Sequence, residues 1–142
     1  MLVLTLVAGY GSAKDESVED LKSRLQNAHP EDRPELAIRI AQLQLRTADK
    51  FYSDGKDEQA NALIEEIVSY SEKARDASTQ TNKHLKNVEI DVRKMAEKLR
   101  DIKRTLALED QPAVEQAIRR LEEVRTSLLK AMFANDKKKE NK

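Results

Sequence analysis

The chain has 142 residues, with 26 basic and 26 acidic side chains, no Cys, no Trp, three Gly and three Pro. Charged residues make up 37% of it and aromatics 4%, which excludes a membrane-spanning protein, a disulfide scaffold, a Cys-based zinc site and a thiol enzyme. Strands draw on β-branched and aromatic residues and their turns on Gly and Pro, so this length and composition describe a single all-α domain.

Residues 1–13, MLVLTLVAGYGSA, carry no charge, and residues 2–8 form a short apolar run. Gly11-Ser12-Ala13 then places small residues before the polar stretch that opens with Lys14. This is the pattern of a secretory signal peptide, too short to span a bilayer, with no Lys or Arg ahead of the apolar run. A lipid anchor is excluded because no Cys follows. The alternative is an apolar arm that packs on the helices.

Beyond residue 13, the punctuation marks out the elements, because Gly and Pro inside a helix cost roughly 1 and 3 kcal/mol relative to Ala. A first helix is predicted over 17–28, with Ser17 and Asp20 forming an acidic capping box and Val18, Leu21 and Leu25 on one face. His29-Pro30 ends it. Asp32-Arg33-Pro34-Glu35 starts a second helix, with an Asp cap and Pro in the first turn. Its expected seam is Leu36, Ile40, Leu43, Thr47 and Phe51, flanked by Ala37, Ala41 and Ala48. Gly55 closes it in a left-handed conformation, and Asp57 is placed to cap the next helix.

From Ile64 to Leu106 the spacing becomes regular. Ile64, Ile67, Ser71, Ala74, Ser78, Thr81, Leu85, Val88, Val92, Met95, Leu99, Ile102 and Leu106 alternate steps of three and four over six heptads. The unbroken phase predicts one coiled-coil-like helix over 57–107, roughly 75 Å long at 1.5 Å per residue. The helix-poor run Ser-Thr-Gln-Thr-Asn at 78–82 offers the alternative of a break into two helices. A last helix starts at Pro112, with Val114, Ala117, Leu121, Val124, Leu128 and Ala131 as its seam. The polar end 135–142 reads as a disordered Lys-rich tail after a single helical domain over 14–134. The expected architecture is therefore an antiparallel bundle of three main helices around a long central one, or of four helices if that one breaks near 78–82.

The two histidines, His29 and His84, belong to no metal-binding helical pair, and the lone Gly beyond the leader leaves no phosphate loop. Glu65-Glu66 and Glu122-Glu123 read as solvated positions, and Tyr52 and Tyr70 as covers at the core edge. No catalytic residue, metal or cofactor is expected. Arg93, Lys94, Arg100 and Arg104, with the terminal lysines, form basic clusters that suit either an anionic lipid or polymer surface or local i,i+4 pairing. No aromatic stands among them to stack a base, and a neutral chain lacks the basic excess of a nucleic-acid binder. Residues 1–71 are net acidic, 13 against 8, and 72–142 net basic, 18 against 13. That gradient suits head-to-tail packing of chains or of two halves of one chain. Ile118, Leu129 and Met132 widen the apolar face of the last helix beyond what a narrow seam covers. They predict a protein-binding or weakly self-associating surface.

The stretch Ala48-Asp-Lys-Phe51-Tyr-Ser-Asp-Gly55-Lys-Asp-Glu-Gln-Ala60 resembles the core of one tetratricopeptide hairpin. It lacks that repeat's Trp-Leu start and closing Pro and does not recur, whereas an array takes about three copies. With its leader, DRPELAIRIA, YSEKARDAS and VRKMAEKLRDIKRTL, the chain is similar to small exported all-helical bacterial proteins of uncharacterised function. The resemblance implies export and an all-helical fold. The expected function is that of an exported, non-catalytic interaction or assembly module, with binding of anionic envelope or membrane surfaces as the alternative.

Overall fold

Local signals set most of the element boundaries in the computed structural model, which describes residues 16–141. The signal-peptide reading of 1–13 lies outside those residues. Helix α1 spans Val18–Asn27, and Ser17 caps it by accepting the Asp20 N–H at 3.1 Å. A 3₁₀ turn at Pro30–Asp32 leads into α2, Arg33–Ser53, with Pro34 in its first turn. Gly55, at φ +74°, makes the tight turn to α3, Asp57–Thr81. Asp57 is the first residue of α3 rather than its cap, and neither Asp32 nor Asp110 caps through its side chain. Helix α4 spans Leu85–Thr105, and a 3₁₀ turn at Leu108–Asp110 precedes α5, Gln111–Glu140.

The chain is all-α, a bundle of helices with no strand among the described residues. Two antiparallel hairpins, α2 with α3 and α4 with α5, stack so that α5 lies along α3 and α4 along α2. Helix α1 rides on α2. One end of the bundle thus collects the α2–α3 turn and the start of α5. The other collects the start of α2, the α3–α4 turn and the end of α5.

The expectation of one continuous helix over 57–107 is overturned. The chain turns at 82–84, where Asn82 and His84 both take left-handed conformations, at φ 61° and 63°. The local chemistry favours the turn. The hydroxyl of Ser78 donates to the Lys83 carbonyl, and the Lys83 N–H reaches the Thr81 hydroxyl at 3.3 Å. Short polar side chains that bond nearby backbone offer it an alternative to the helix. The seam runs through the break in phase because each helix needs its own buried stripe, and the step from Thr81 to Leu85 merely spans the turn. All its members from Ile64 to Ile102 except Thr81 are buried.

Two further expectations need correction. The inward stripe of α2 is Ala37, Ala41, Leu45, Ala48 and Tyr52, with Ile38 and Ile40 beside it. Leu36, Leu43 and Phe51 are only half-buried and Thr47 is exposed. Small residues win the inward face because α2 and α3 approach closely there: Ala48 and Ala60 are both 0% exposed. The polar end is not a disordered tail through its length, since α5 continues to Glu140. Lysines at 137–139 suit the negative end of the helix dipole, and the Asn135 side chain bonds that of Asn82.

Candidate interaction surface

A groove of about 1250 Å³ lies between α1, α2 and α4. Leu36 and Leu43 on α2 and Ile90 on α4 give it a half-buried apolar floor, continuous with buried Ile38 and Val88. Its rim carries both signs. Arg24 of α1 and Arg39 of α2 hold Glu16 between them, at 2.9 and 3.3 Å. Across the groove, Glu35 meets His84 Nδ1 at 3.1 Å. Asp91 on α4 has its pKa raised, by burial first and then by Glu35, with Lys94 opposing.

Among the described residues no three His, Asp or Glu side chains are grouped to hold a metal. Glu16 and Glu35 are each engaged by a basic side chain. His29, Asp32 and Asp91 also line the groove, without an ion-pair partner among the described residues.

Several other charged groups work across helices. Glu66 on α3 accepts Lys22 of α1 at 2.6 Å and Gln44 of α2 at 2.5 Å, tying three helices together. The hydrogen bond to Glu66 raises the Lys22 pKa against the effect of burial. Arg120 on α5 clamps Glu65 and Glu72 of α3, at 2.8 and 2.6 Å. Arg125 bonds Glu89 of α4 at 3.1 Å and Glu122 at 2.9 Å, and Glu122 also accepts Arg100 at 2.7 Å. Burial alone would raise Glu122, but Arg100 and Arg125 together hold its pKa below the usual carboxylate range. Glu66 and Glu122 are thus half-buried bridges between helices rather than solvated positions, whereas Glu65 and Glu123 are solvated as expected, Glu65 while also bonding Arg120.

The two tyrosines also divide. Tyr52 is in the core, its hydroxyl donating to Asn61 Oδ1 at 2.5 Å, and burial followed by the charges of Asp57 and Asp110 pushes its pKa up to about 12. Tyr70 does cover an edge, with Lys73 4.5 Å and Lys22 5.5 Å from its ring centre.

The residues singled out from the sequence do not form one surface. Ile118 on α5 is buried, Met132 is half-buried against the core, and Leu129 is half-buried. Of these three, Ile118 is therefore covered within the chain, while Leu129 and Met132 keep part of their surface open. Arg100 is engaged by Glu122, and Arg104 by Asp101 on its own helix at 3.0 Å. Arg93 and Lys94 are exposed and form no ion pair among the described residues.

The groove itself went unpredicted. Its signal was the surplus of apolar residues on α2, where Leu36 and Leu43 lie seven apart on a face that Ala37, Ala41 and Ala48 do not share. No family model, curated protein or solved structure matches the chain.

Proposed function

We propose that this chain is a non-catalytic interaction module, working outside the cytoplasm, that receives an amphipathic helix of a protein partner in the α1–α2–α4 groove. The observation that carries the reading is the groove's make-up: an apolar floor of Leu36, Leu43 and Ile90 edged by charges of both signs. An amphipathic helix laid in such a groove buries its apolar stripe on the floor, while rim charges set its register. Export is supported by the charge-free leader and the small residues at 11–13. In the mature form, beginning near Lys14, the leader is gone and the groove is left to the partner.

The test has two parts. Expressed with its native leader, the protein should be recovered outside the cytoplasm with a new amino terminus near Lys14. A photo-crosslinker at Leu43 should then join that mature form to one partner, and the same group at Thr126 should not. Leu36→Glu should abolish the Leu43 adduct. Recovery only of an intact chain starting at Met1, or equal labelling from Leu43 and Thr126, rejects the proposal.

A second reading, binding of an anionic envelope or membrane surface, draws on Arg93 and Lys94, which are exposed without an ion-pair partner among the described residues. It predicts salt-sensitive binding to vesicles of anionic lipid, weakened by Arg93→Glu with Lys94→Glu.

A further inference from the structure

The groove lies beside the point at which the leader joins the bundle. Glu16, the first described residue, lines the groove and is held there by Arg24 at 2.9 Å and Arg39 at 3.3 Å. Arg39 comes three residues after Leu36 and four before Leu43, and side chains at those spacings are neighbours on one helix face. The chain on the amino-terminal side of Glu16 therefore starts beside the middle of the apolar floor.

That part of the chain matches the floor in chemistry and in reach. Residues 2–8, Leu-Val-Leu-Thr-Leu-Val-Ala, are an apolar run within a leader that carries no charge. The connection 9–15 extends to roughly 23 Å at about 3.3 Å per residue. Between Glu35 and Arg46, the first and last residues of α2 to line the groove, the helix rises only about 17 Å. The run thus reaches any part of the floor while Glu16 stays on its two arginines. Being uncharged, it needs no partner from the rim, so the pairs of Glu16 with Arg24 and Arg39, and of Glu35 with His84, stay intact. Leu108 and Phe133 are more exposed than the floor, at 81% and 68%, but neither lines the groove.

We propose that the leader, for as long as it remains on the chain, seats its apolar run 2–8 on the floor of its own groove and shuts the partner out. This rests on the reading of the groove as a partner's seat and adds what governs access to it. A segment on a short connection competes at an effective concentration in the millimolar range, so a partner helix present below that is excluded. Hydrolysis of a peptide bond near Lys14 consumes one water and leaves a new carboxyl and a new amino terminus. The tethered run becomes a separate peptide at low concentration, and the groove opens. One cleavage thereby couples maturation to binding.

The test uses the full 142-residue chain, made by cell-free translation without membranes or peptidase, so that the leader stays on and no partner is present. The chain has no Cys, and an introduced thiol reports without background. The thiol of Leu43→Cys should react with a maleimide at least tenfold faster once Leu4→Asp and Leu6→Asp charge the run. That of Thr126→Cys should react at one rate with either leader. Both aspartates lie outside the described bundle, so helicity by circular dichroism should hold. Mild oxidation should join Leu43→Cys to Leu2→Cys, Leu4→Cys or Leu6→Cys, tested in turn, within one chain and at a yield that dilution does not lower. A Leu43→Cys thiol that reacts equally fast with either leader overturns the proposal, and so does protection with no link from any of the three positions. A disulfide between two chains overturns it too, by making a second copy the occupant. The groove reading fails separately: if the mature form captures no partner through Leu43, the protection and the intrachain link still stand. If those two are absent while capture persists, only the leader's role is lost.

Discussion

Glu89 is the one charged side chain buried among the described residues, and Arg125 is its partner. Glu89 is 6% exposed on α4, and Arg125 reaches it from α5 with two nitrogens, at 3.1 and 3.2 Å. Removing one partner of a buried pair leaves the other desolvated and costs roughly 3–5 kcal/mol, whereas replacing both by apolar residues is often neutral. The Arg125 side chain is 24% exposed, so water reaches the site and the low end of that range applies. Arg125→Met keeps the aliphatic stem and should therefore cost about 3 kcal/mol. In a domain with about 5–15 kcal/mol in total, that loss should lower Tm by roughly 9 °C, taking about 3 °C per kcal/mol for this size. Glu122 also loses Arg125 in the variant but retains Arg100, so most of the loss falls on Glu89. Glu89→Leu combined with Arg125→Met should lie within about 1 kcal/mol of wild type. Urea denaturation of the four proteins at pH 7, followed by circular dichroism, gives the coupling energy directly. If Arg125→Met costs under about 1 kcal/mol, or if the double variant loses the sum of the singles, the reasoning about the buried pair is wrong.

Three other outcomes follow from the same structure. Asn82→Ala should cost about 1 kcal/mol because Ala pays the left-handed penalty that Asn tolerates, while Asn82→Gly should stay within a few tenths; equal costs in urea would contradict the turn. Ser78→Leu with Thr81→Leu should destabilise by at least about 1 kcal/mol, since Ser78 is fully buried and closes that turn through the Lys83 carbonyl; a gain in Tm would restore the continuous helix. Glu122, whose folded pKa lies below its unfolded value near 4.3, contributes stability that is present above the unfolded value and is lost as pH falls through the folded one. The stability gap between wild type and Glu122→Gln should accordingly be full at pH 7 and close in strong acid, and a gap that does not change with pH refutes the assignment.

The α1, α2 and α5 starts were legible because Ser17, Pro34 and Pro112 act on their own backbone, within one turn of helix. The bend between α3 and α4 was half legible. Its polar run announced a break, but the three-four spacing of Ser78, Thr81 and Leu85 concealed it, since periodicity reports burial and not continuity. Helix α2 failed for a related reason. With Leu36, Ile40 and Leu43 all apolar, spacing alone does not say which side faces α3, and the answer depended on how close α3 comes. Small Ala37, Ala41 and Ala48 permit that approach, which left the bulkier Leu36 and Leu43 outward as the floor of the groove. The candidate surface was thus hidden in residues that read as core.

Ion pairs were illegible for a different reason, and it bears on how this molecule responds to salt. A sequence shows only pairs three or four residues apart, whereas here Arg120 reaches Glu65 across 55 residues and Arg125 reaches Glu89 across 36. These pairs occupy the middle of the bundle and hold α5 against α3 and α4. The zero net charge therefore conceals how many charges are already matched between helices. Partly buried pairs of this kind are screened far less than exposed ones. Raising the ionic strength should accordingly leave the helices and their packing in place, with Tm little changed between low and about 0.5 M salt. A Tm that falls steeply over that range would mean that exposed, screened pairs carry the packing, and the placement of Arg120 and Arg125 between helices argues against that.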